Sequence, residues 1–207
     1  MIKNIIFDIG NVLASFRWKD LFADLGFTGE AFERIAAATV QHPTMWNEFD
    51  RSLMSDEEII ACCIERAPKY EKEIRRLFHT TELLVEEYEY SYGWIRELKE
   101  RGYKVYLLSN YGKTSFEAAR DKGRLSFLPL VDGGVISYEV KIVKPEPGIY
   151  EALLEKYGLK AEECVFLDDR AENIEAARKL GFHGIVVEGY EQSRKEMKRL
   201  LDKIANK

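Results

Sequence analysis

The sequence has little cysteine and no pattern of the kind that binds zinc. Three cysteines are present, an odd number, and Cys62 and Cys63 are adjacent, which disfavours a disulfide between them. Neither a Cys-x-x-Cys pair nor a Cys/His ligand spacing occurs, so the sequence predicts no disulfide framework. We expect all three thiols to be buried as small hydrophobic side chains of a protein from a reducing compartment.

The chain also lacks a long apolar segment and an excess of positive charge. Its apolar start reaches Asp8 too early for a signal peptide or a membrane span, so we expect a cytoplasmic protein without a membrane partner. The formal net charge of −5 argues against nucleic acid as a partner. No feature indicates an obligate protein partner, and we expect a monomer or a weak homodimer.

What the sequence does contain is an alternation of short apolar runs with helical segments. The apolar runs predict buried strands at 4–7, 104–108, 164–167 and 184–187. Helical patterns follow at 94–99, 147–157, 171–180 and 191–204. This order predicts an α/β fold, with a Rossmann-like parallel sheet covered by helices on both faces.

Residues 16–84 break this alternation. Their apolar positions follow helical spacing, no strand is evident, and the stretch from Ser55 to Glu58 predicts a helix start with a capping box. We therefore expect an all-helical cap domain at 16–84, inserted after the first strand. The α/β core domain would then comprise residues 1–15 and 85–207.

Polar side chains follow three of the predicted strands. Asp8 ends the first, Ser109 ends the second, and the pair Asp168 and Asp169 ends the third. In an open parallel sheet, ligands bind beyond the carboxyl ends of the strands. An aspartate can accept a phosphoryl group, further carboxylates suit Mg²⁺, and a hydroxyl and a lysine such as Lys144 can bind phosphate oxygens. These residue types together favour phosphoryl transfer.

Four segments in order resemble the motifs of the haloacid dehalogenase superfamily. They are Phe-Asp-Ile-Gly-Asn-Val-Leu (7–13), Leu-Leu-Ser-Asn (107–110), Val-Lys-Pro-Glu-Pro-Gly-Ile-Tyr (143–150) and Phe-Leu-Asp-Asp-Arg-Ala-Glu-Asn (166–173). The chain looks most like the phosphatase branch with a small helical cap, in a subgroup that includes a sugar-phosphate phosphatase. This resemblance implies Mg²⁺-dependent hydrolysis of a small phosphorylated metabolite through an aspartyl-phosphate intermediate.

The resemblance also implies a nucleophile and a set of metal ligands. Asp8 matches the nucleophile and a ligand of Mg²⁺, and the main-chain carbonyl of Gly10 matches a second ligand. Asp169 matches the principal carboxylate on the metal, with Asp168 supporting the site. A like-charged pair at the end of a strand is costly without a cation, which agrees with that assignment.

A second set of residues matches the phosphate-binding motifs of the family. Ser109 and Asn110 match the motif that binds phosphate, although the same pair could instead begin the helix that follows Gly112. Lys144 matches the lysine that binds phosphate and balances the charge of the nucleophile. By itself, a lysine in a loop before Pro145 would more often be solvated.

Gly10 departs from the family pattern. Most phosphatases of this superfamily have an aspartate there, which protonates the leaving group and then activates water, a contribution of about 10² to 10⁴ in rate. Without it we expect weak turnover of poor leaving groups and better turnover of activated aryl phosphates. Asn11 cannot exchange protons at neutral pH, and the only candidates in the cap are Glu48 and Asp50.

Other functions remain open from the sequence. A 2-haloacid dehalogenase uses the aspartate without a metal, and a mutase needs the proton donor that Gly10 replaces. A non-catalytic protein could retain the phosphate pocket after losing its acid. Trp46 and Phe49 in the cap could face the site and influence which substrate binds.

Overall fold

The computed structural model of the protein describes residues 1–205. The strands of this region are β1 (Asn4–Phe7), β2 (Ala14–Phe16), β3 (Val85–Glu87), β4 (Lys104–Ser109), β5 (Gly133–Ile136), β6 (Cys164–Asp168) and β7 (His183–Val186). The helices are α1 (Trp18–Asp24), α2 (Gly29–Ala38), α3 (Pro43–Arg51), α4 (Asp56–Arg66), α5 (Glu71–Phe78), α6 (Glu89–Glu100), α7 (Lys113–Asp121), α8 (Ser137–Val140), α9 (Pro147–Tyr157), α10 (Ala171–Lys179) and α11 (Tyr190–Ala205). None of these helices is long and apolar enough to cross a membrane.

Five strands form one parallel sheet in the order β5-β4-β1-β6-β7. The α/β fold with helices on both faces is therefore confirmed, and four of its strands lie at the predicted places. The edge strand β5 was not predicted, because it begins with two glycines that weaken any strand pattern. Packing requires glycine at position 134, since a Cβ there would lie 2.7 Å from the carbonyl oxygen of Leu107.

Side chains of β1 alternate between two hydrophobic clusters, one on each face of the sheet. Ile5 and Phe7 point to the side covered by α6 and α11, where Phe7 meets Trp94 edge to face. Ile6 points to the opposite side, covered by α9 and α10. Every residue of β1 is buried, which explains why the strand reads as a continuous apolar run. Each large apolar side chain buried here contributes about 1.5–3 kcal/mol.

The segment between β1 and α6 has a hydrophobic cluster of its own, built from α1 to α5. Its predicted capping box is confirmed, with Ser55 and Glu58 bonded to each other's backbone N–H. At its base β2 and β3 pair antiparallel, a short ladder of three residues per strand that no period-2 pattern could indicate. We propose that the domain boundaries lie at this ladder, close to residues 16 and 84.

The cysteines of residues 1–205 are all free. Cys63 and Cys164 are buried, as expected. Cys62 is only partly buried, because it lies on the rim of the apolar face of α4. The expectation of three buried thiols is therefore wrong for Cys62.

Candidate active site

Three strands deliver polar groups to one edge of the sheet. Phe7 is level with Leu107 on one side and with Leu167 on the other. The residues that follow these positions are Asp8 directly after β1, Leu108 and Ser109 on β4, and Asp168 on β6. Because the three strands are parallel and in register, Asp8, Ser109 and the β6 carboxylates meet at the same edge.

Lys144 joins two of these strand ends. Its side chain is almost completely buried, and its Nζ lies 2.8 Å from Oδ1 of Asp8 and 2.6 Å from Oδ2 of Asp168. The backbone of Lys144 is held from the β4 side, where Asn110 accepts from its N–H at 2.8 Å and donates to its carbonyl at 3.1 Å. A buried ammonium between two carboxylates balances part of their negative charge.

Asp168 is the most completely hydrogen-bonded carboxylate of the site. It is fully buried, and its oxygens accept from Lys144, from the side chain of Asn173 and from the backbone N–H of Arg170. These bonds orient Lys144 toward Asp8. We propose that this support, within reach of the same metal ion, is the role of Asp168.

The local charges shift the pKa values of the reacting groups. Burial raises the pKa of Asp8 to about 6, although Lys144 and the Ser109 hydroxyl both favour its ionised form. Burial alone would lower the pKa of Lys144, but attraction to Asp168 and Asp8 raises it above its ordinary value. The lysine is therefore a fixed positive charge at neutral pH.

Oxygen atoms of Asp8, Asp168 and Asp169 lie within 4.8 Å of one another. Such a set of carboxylate oxygens suits Mg²⁺, and the neighbouring loop holds it in place. Asn11 has a left-handed backbone, φ 55°, and its side-chain amide donates to Oδ2 of Asp169 at 2.8 Å. Burial raises the pKa of Asp169 above its ordinary value, which a bound cation would reverse.

A cavity of about 240 Å³ opens above this edge of the sheet. Among the predicted site residues it is lined by Asp8, Gly10, Ser109, Asn110, Lys144 and Asp169. Asp168 lies behind this wall and is not among the lining residues. From the helical segment, the lining includes Trp46, Phe49 and Asp50. The structure thus brings all predicted site residues together.

Sequence reasoning did not include three contributing residues among the predicted site residues. Asn173 lies in the first turn of α10, five residues after Asp168, where its amide can reach back to that carboxylate. Asn11 orients Asp169, and an amide side chain directly after the unusual Gly10 was a weak signal for this. Asp50 was named only as one of two cap acids, because helical periodicity does not show which of them faces the core.

The match to known proteins agrees with this geometry. The model of the haloacid dehalogenase-like hydrolase family matches residues 2–181. The chain belongs to this family of hydrolases. Its fold is shared with a family enzyme of Bacteroides thetaiotaomicron, solved with magnesium and inorganic phosphate, at TM-score 0.73 and 24% identity over 93% of this chain and 98% of that one.

Two similar proteins of the family are phosphatases. The chain is 28% identical over 200 residues to a phosphatase of Mycobacterium tuberculosis, covering 93% of this chain and 90% of the relative. It is 26% identical over 189 residues to a sesquiterpene phosphatase of Aspergillus oryzae, covering 88% of each.

Proposed function

We propose that this hydrolase is a Mg²⁺-dependent phosphomonoester hydrolase that forms an aspartyl-phosphate at Asp8. The observation that carries the proposal is the joint placement of a buried carboxylate, a buried lysine and a hydroxyl on one cavity. Asp8 is 2.8 Å from Lys144, and the neighbouring Ser109 hydroxyl lowers the pKa of its carboxyl, which favours the ionised form. A nucleophile with a fixed cation beside it is suited to attack on phosphorus.

Each side chain has a distinct task in the proposed reaction. A carboxylate oxygen of Asp8 attacks the phosphorus, and Ser109 donates a hydrogen bond to a phosphate oxygen. Lys144 neutralises charge on the nucleophile and the phosphoryl group. Asp168, through the ammonium, and Asn110, through the backbone, keep the Lys144 side chain oriented toward these groups. In this proposal Asn110 acts mainly on the lysine loop, since its amide is already bonded to that backbone.

Mg²⁺ would be held by Asp8, Asp169 and the main-chain carbonyl of Gly10, with Asp168 close by. When bound, it would supply positive charge to the phosphate oxygens. The clustering of the three carboxylates supports this choice of cofactor. It also counts against a dehalogenase, which needs no such cluster.

We propose a small phosphorylated metabolite as the substrate, with sugar phosphates as the first class to test. A cavity of about 240 Å³ has room for a small ligand rather than a polymer. Phe16, Trp46 and Phe49 give one wall an apolar, aromatic surface, against which a sugar ring can pack. The same wall would accept an isoprenyl chain, so isoprenyl phosphates form the comparison class.

The test is release of inorganic phosphate from a panel of sugar phosphates, nucleotides, isoprenyl phosphates and p-nitrophenyl phosphate. Each substrate is measured with Mg²⁺, with EDTA, and with Asp8→Asn. Turnover that needs both the metal and Asp8 supports the proposal, and the best substrate identifies the class. Binding of Mg²⁺ and phosphate without any turnover would support the non-catalytic alternative instead.

A further inference from the structure

The last turn of α3 is fixed to the core at the mouth of the cavity. The Ser137 hydroxyl donates to the carbonyl of Asp50 at 2.7 Å, and the same hydroxyl accepts from the backbone N–H of Tyr111 at 2.9 Å. Ser52 accepts from the N–H of Lys113 at 3.0 Å. These bonds join the helical segment to the loop that follows β4.

Two further contacts strengthen this junction. Arg51 forms an ion pair with Glu146 and donates to the carbonyl of Lys141 at 3.2 Å. Phe49 packs against Gly112 so closely that a Cβ at that glycine would lie 2.9 Å from both a ring carbon and the carbonyl of Phe49. Only glycine permits this approach of helix to loop.

The junction places Asp50 in the wall of the cavity. The residue is 7% exposed and lines the same cavity as Asp8, and the backbone N–H of Gly112 acts on its carboxyl to lower the pKa. Lys144 and Asp8 act on it electrostatically from the core. It has no cationic side chain of its own as a hydrogen-bond partner among the described residues.

We infer that Asp50 is the general acid and base of the reaction, taking the place of the acid that Gly10 lacks. The inference rests on the proposed phosphatase function and adds to it the residue that handles the proton. It replaces the expectation that poor leaving groups react weakly. The junction of α3 with the core matters because a proton donor must be held within hydrogen-bond reach of the leaving oxygen.

The protonation state of Asp50 fits this role. Burial raises its pKa to about 8, against the influence of the Gly112 N–H and with a further increase from Asp8. The groups that face it are Asp8 and Lys144 across the cavity and Tyr111 on the β4 loop. At neutral pH the carboxyl therefore carries a proton that it can donate, and it loses that proton near the pH range where enzymes work.

Other side chains near the cavity cannot take this role. Glu48 is partly exposed, pairs with Arg51 at 3.3 Å and does not line the cavity. Tyr111 lines it, but burial raises the pKa of its hydroxyl above an ordinary value that is already far from neutral. Lys144 is already paired with the two carboxylates that flank it, Asp8 and Asp168.

The proton moves twice in one turnover. As an oxygen of Asp8 bonds to phosphorus, the bond from phosphorus to the leaving oxygen breaks, and the Asp50 proton passes to that oxygen to release an alcohol. The Asp50 carboxylate then takes a proton from a water molecule, whose oxygen attacks the phosphorus of the aspartyl-phosphate. Inorganic phosphate leaves, Asp8 is restored as a carboxylate, and Asp50 is protonated again.

The test compares aryl phosphates whose leaving groups differ, from p-nitrophenyl phosphate to phenyl phosphate, with the full chain and Mg²⁺. Asp50→Asn keeps the shape and can still accept from the Gly112 N–H, so the fold is retained. We expect kcat/KM on phenyl phosphate to fall by about 10² to 10⁴ and kcat/KM on p-nitrophenyl phosphate to fall by less than about tenfold, because kcat/KM reports transfer to Asp8 and not the later hydrolysis of the aspartyl-phosphate. The wild-type loss of kcat/KM on phenyl phosphate above about pH 8 should disappear in this variant.

Glu48→Gln is the matched control on the same helix and should leave both rates unchanged. A second variant tests whether an acid at position 10 can replace Asp50. Gly10→Asp in the Asp50→Asn background should restore phenyl phosphate turnover. The added side chain has space there, since a Cβ at Gly10 meets nothing within 4 Å.

Two results would overturn the inference: an equal loss of kcat/KM on both substrates in Asp50→Asn, which indicates a structural role, or no loss on either. Failure of the proposed function looks different, because wild-type protein would then release no phosphate that depends on Asp8.

Discussion

The two halves of the site are built in contrasting ways. The core half contains several charged groups close together. Lys144 bonds to both Asp8 and Asp168, so each of these groups has a charged neighbour. The half contributed by α3 holds a single acid, Asp50, fixed mainly through backbone atoms around it. We conclude that the core half is organised to hold charge and the α3 half to exchange a proton. Substitutions in each half should therefore have different effects.

The largest effect is expected in the core half, from Asp8→Asn. The amide cannot form the acyl phosphate, so kcat should fall by roughly 10⁴-fold or more on every substrate, whatever its leaving group. Phosphate-release assays with p-nitrophenyl and phenyl phosphate measure this directly. A loss restricted to phenyl phosphate would place Asp8 in proton transfer and contradict the division between the halves.

Lys144→Met is expected to affect both activity and folding. It leaves the buried carboxylates of Asp8 and Asp168 without their cation, and disruption of a buried ion pair typically costs about 3–5 kcal/mol. Urea unfolding without Mg²⁺ should show this loss, and added Mg²⁺ should recover part of it. Lys156→Met removes an exposed pair with Glu139 and serves as the control, with a change below about 1 kcal/mol.

Gly112→Ala tests the junction between the halves. The new methyl group would overlap Phe49, so we expect a cost of about 1–3 kcal/mol from overpacking and a loss of kcat/KM on phenyl phosphate as Asp50 moves away. Gly93→Ala is the matched control, because it lies exposed within α6 with nothing within 4 Å of its Cβ. That change should stabilise the protein by up to about 1 kcal/mol without altering activity.

The smallest effect expected is the pH dependence of stability at Asp50. Its pKa is about 8 in the folded protein and 3.8 ordinarily, so unfolding between those pH values releases a proton and stability falls as the pH rises. Asp50→Asn carries no charge and avoids this loss. Its Tm should exceed that of wild type at pH 8 and match it near pH 4, with the difference growing as the pH rises between these values. Equal Tm differences at both pH values would show that the carboxyl is not buried as described.

The two halves also differ in how well the sequence predicts them. Asp8, Ser109 and Asp168 end apolar runs, and parallel strands in register must bring such ends together. Asp50 lies on a helix whose orientation depends on how Phe49 and Ser52 dock on distant loops, and periodicity within the helix contains no information about that. Strand β5 was missed for a related reason, since its glycines are required by packing, Gly133 against Tyr157 of α9 and Gly134 against Leu107 of β4.

The central claim is that Asp8 carries the phosphoryl group during turnover. Rapid acid quenching of wild-type protein with Mg²⁺ and p-nitrophenyl phosphate, followed by mass spectrometry of its peptides, tests it most directly. The mass of one phosphoryl group should appear on the peptide that contains Asp8 and be absent from Asp8→Asn. Steady turnover with an unmodified Asp8 peptide, or the same mass on another residue, would contradict the claim.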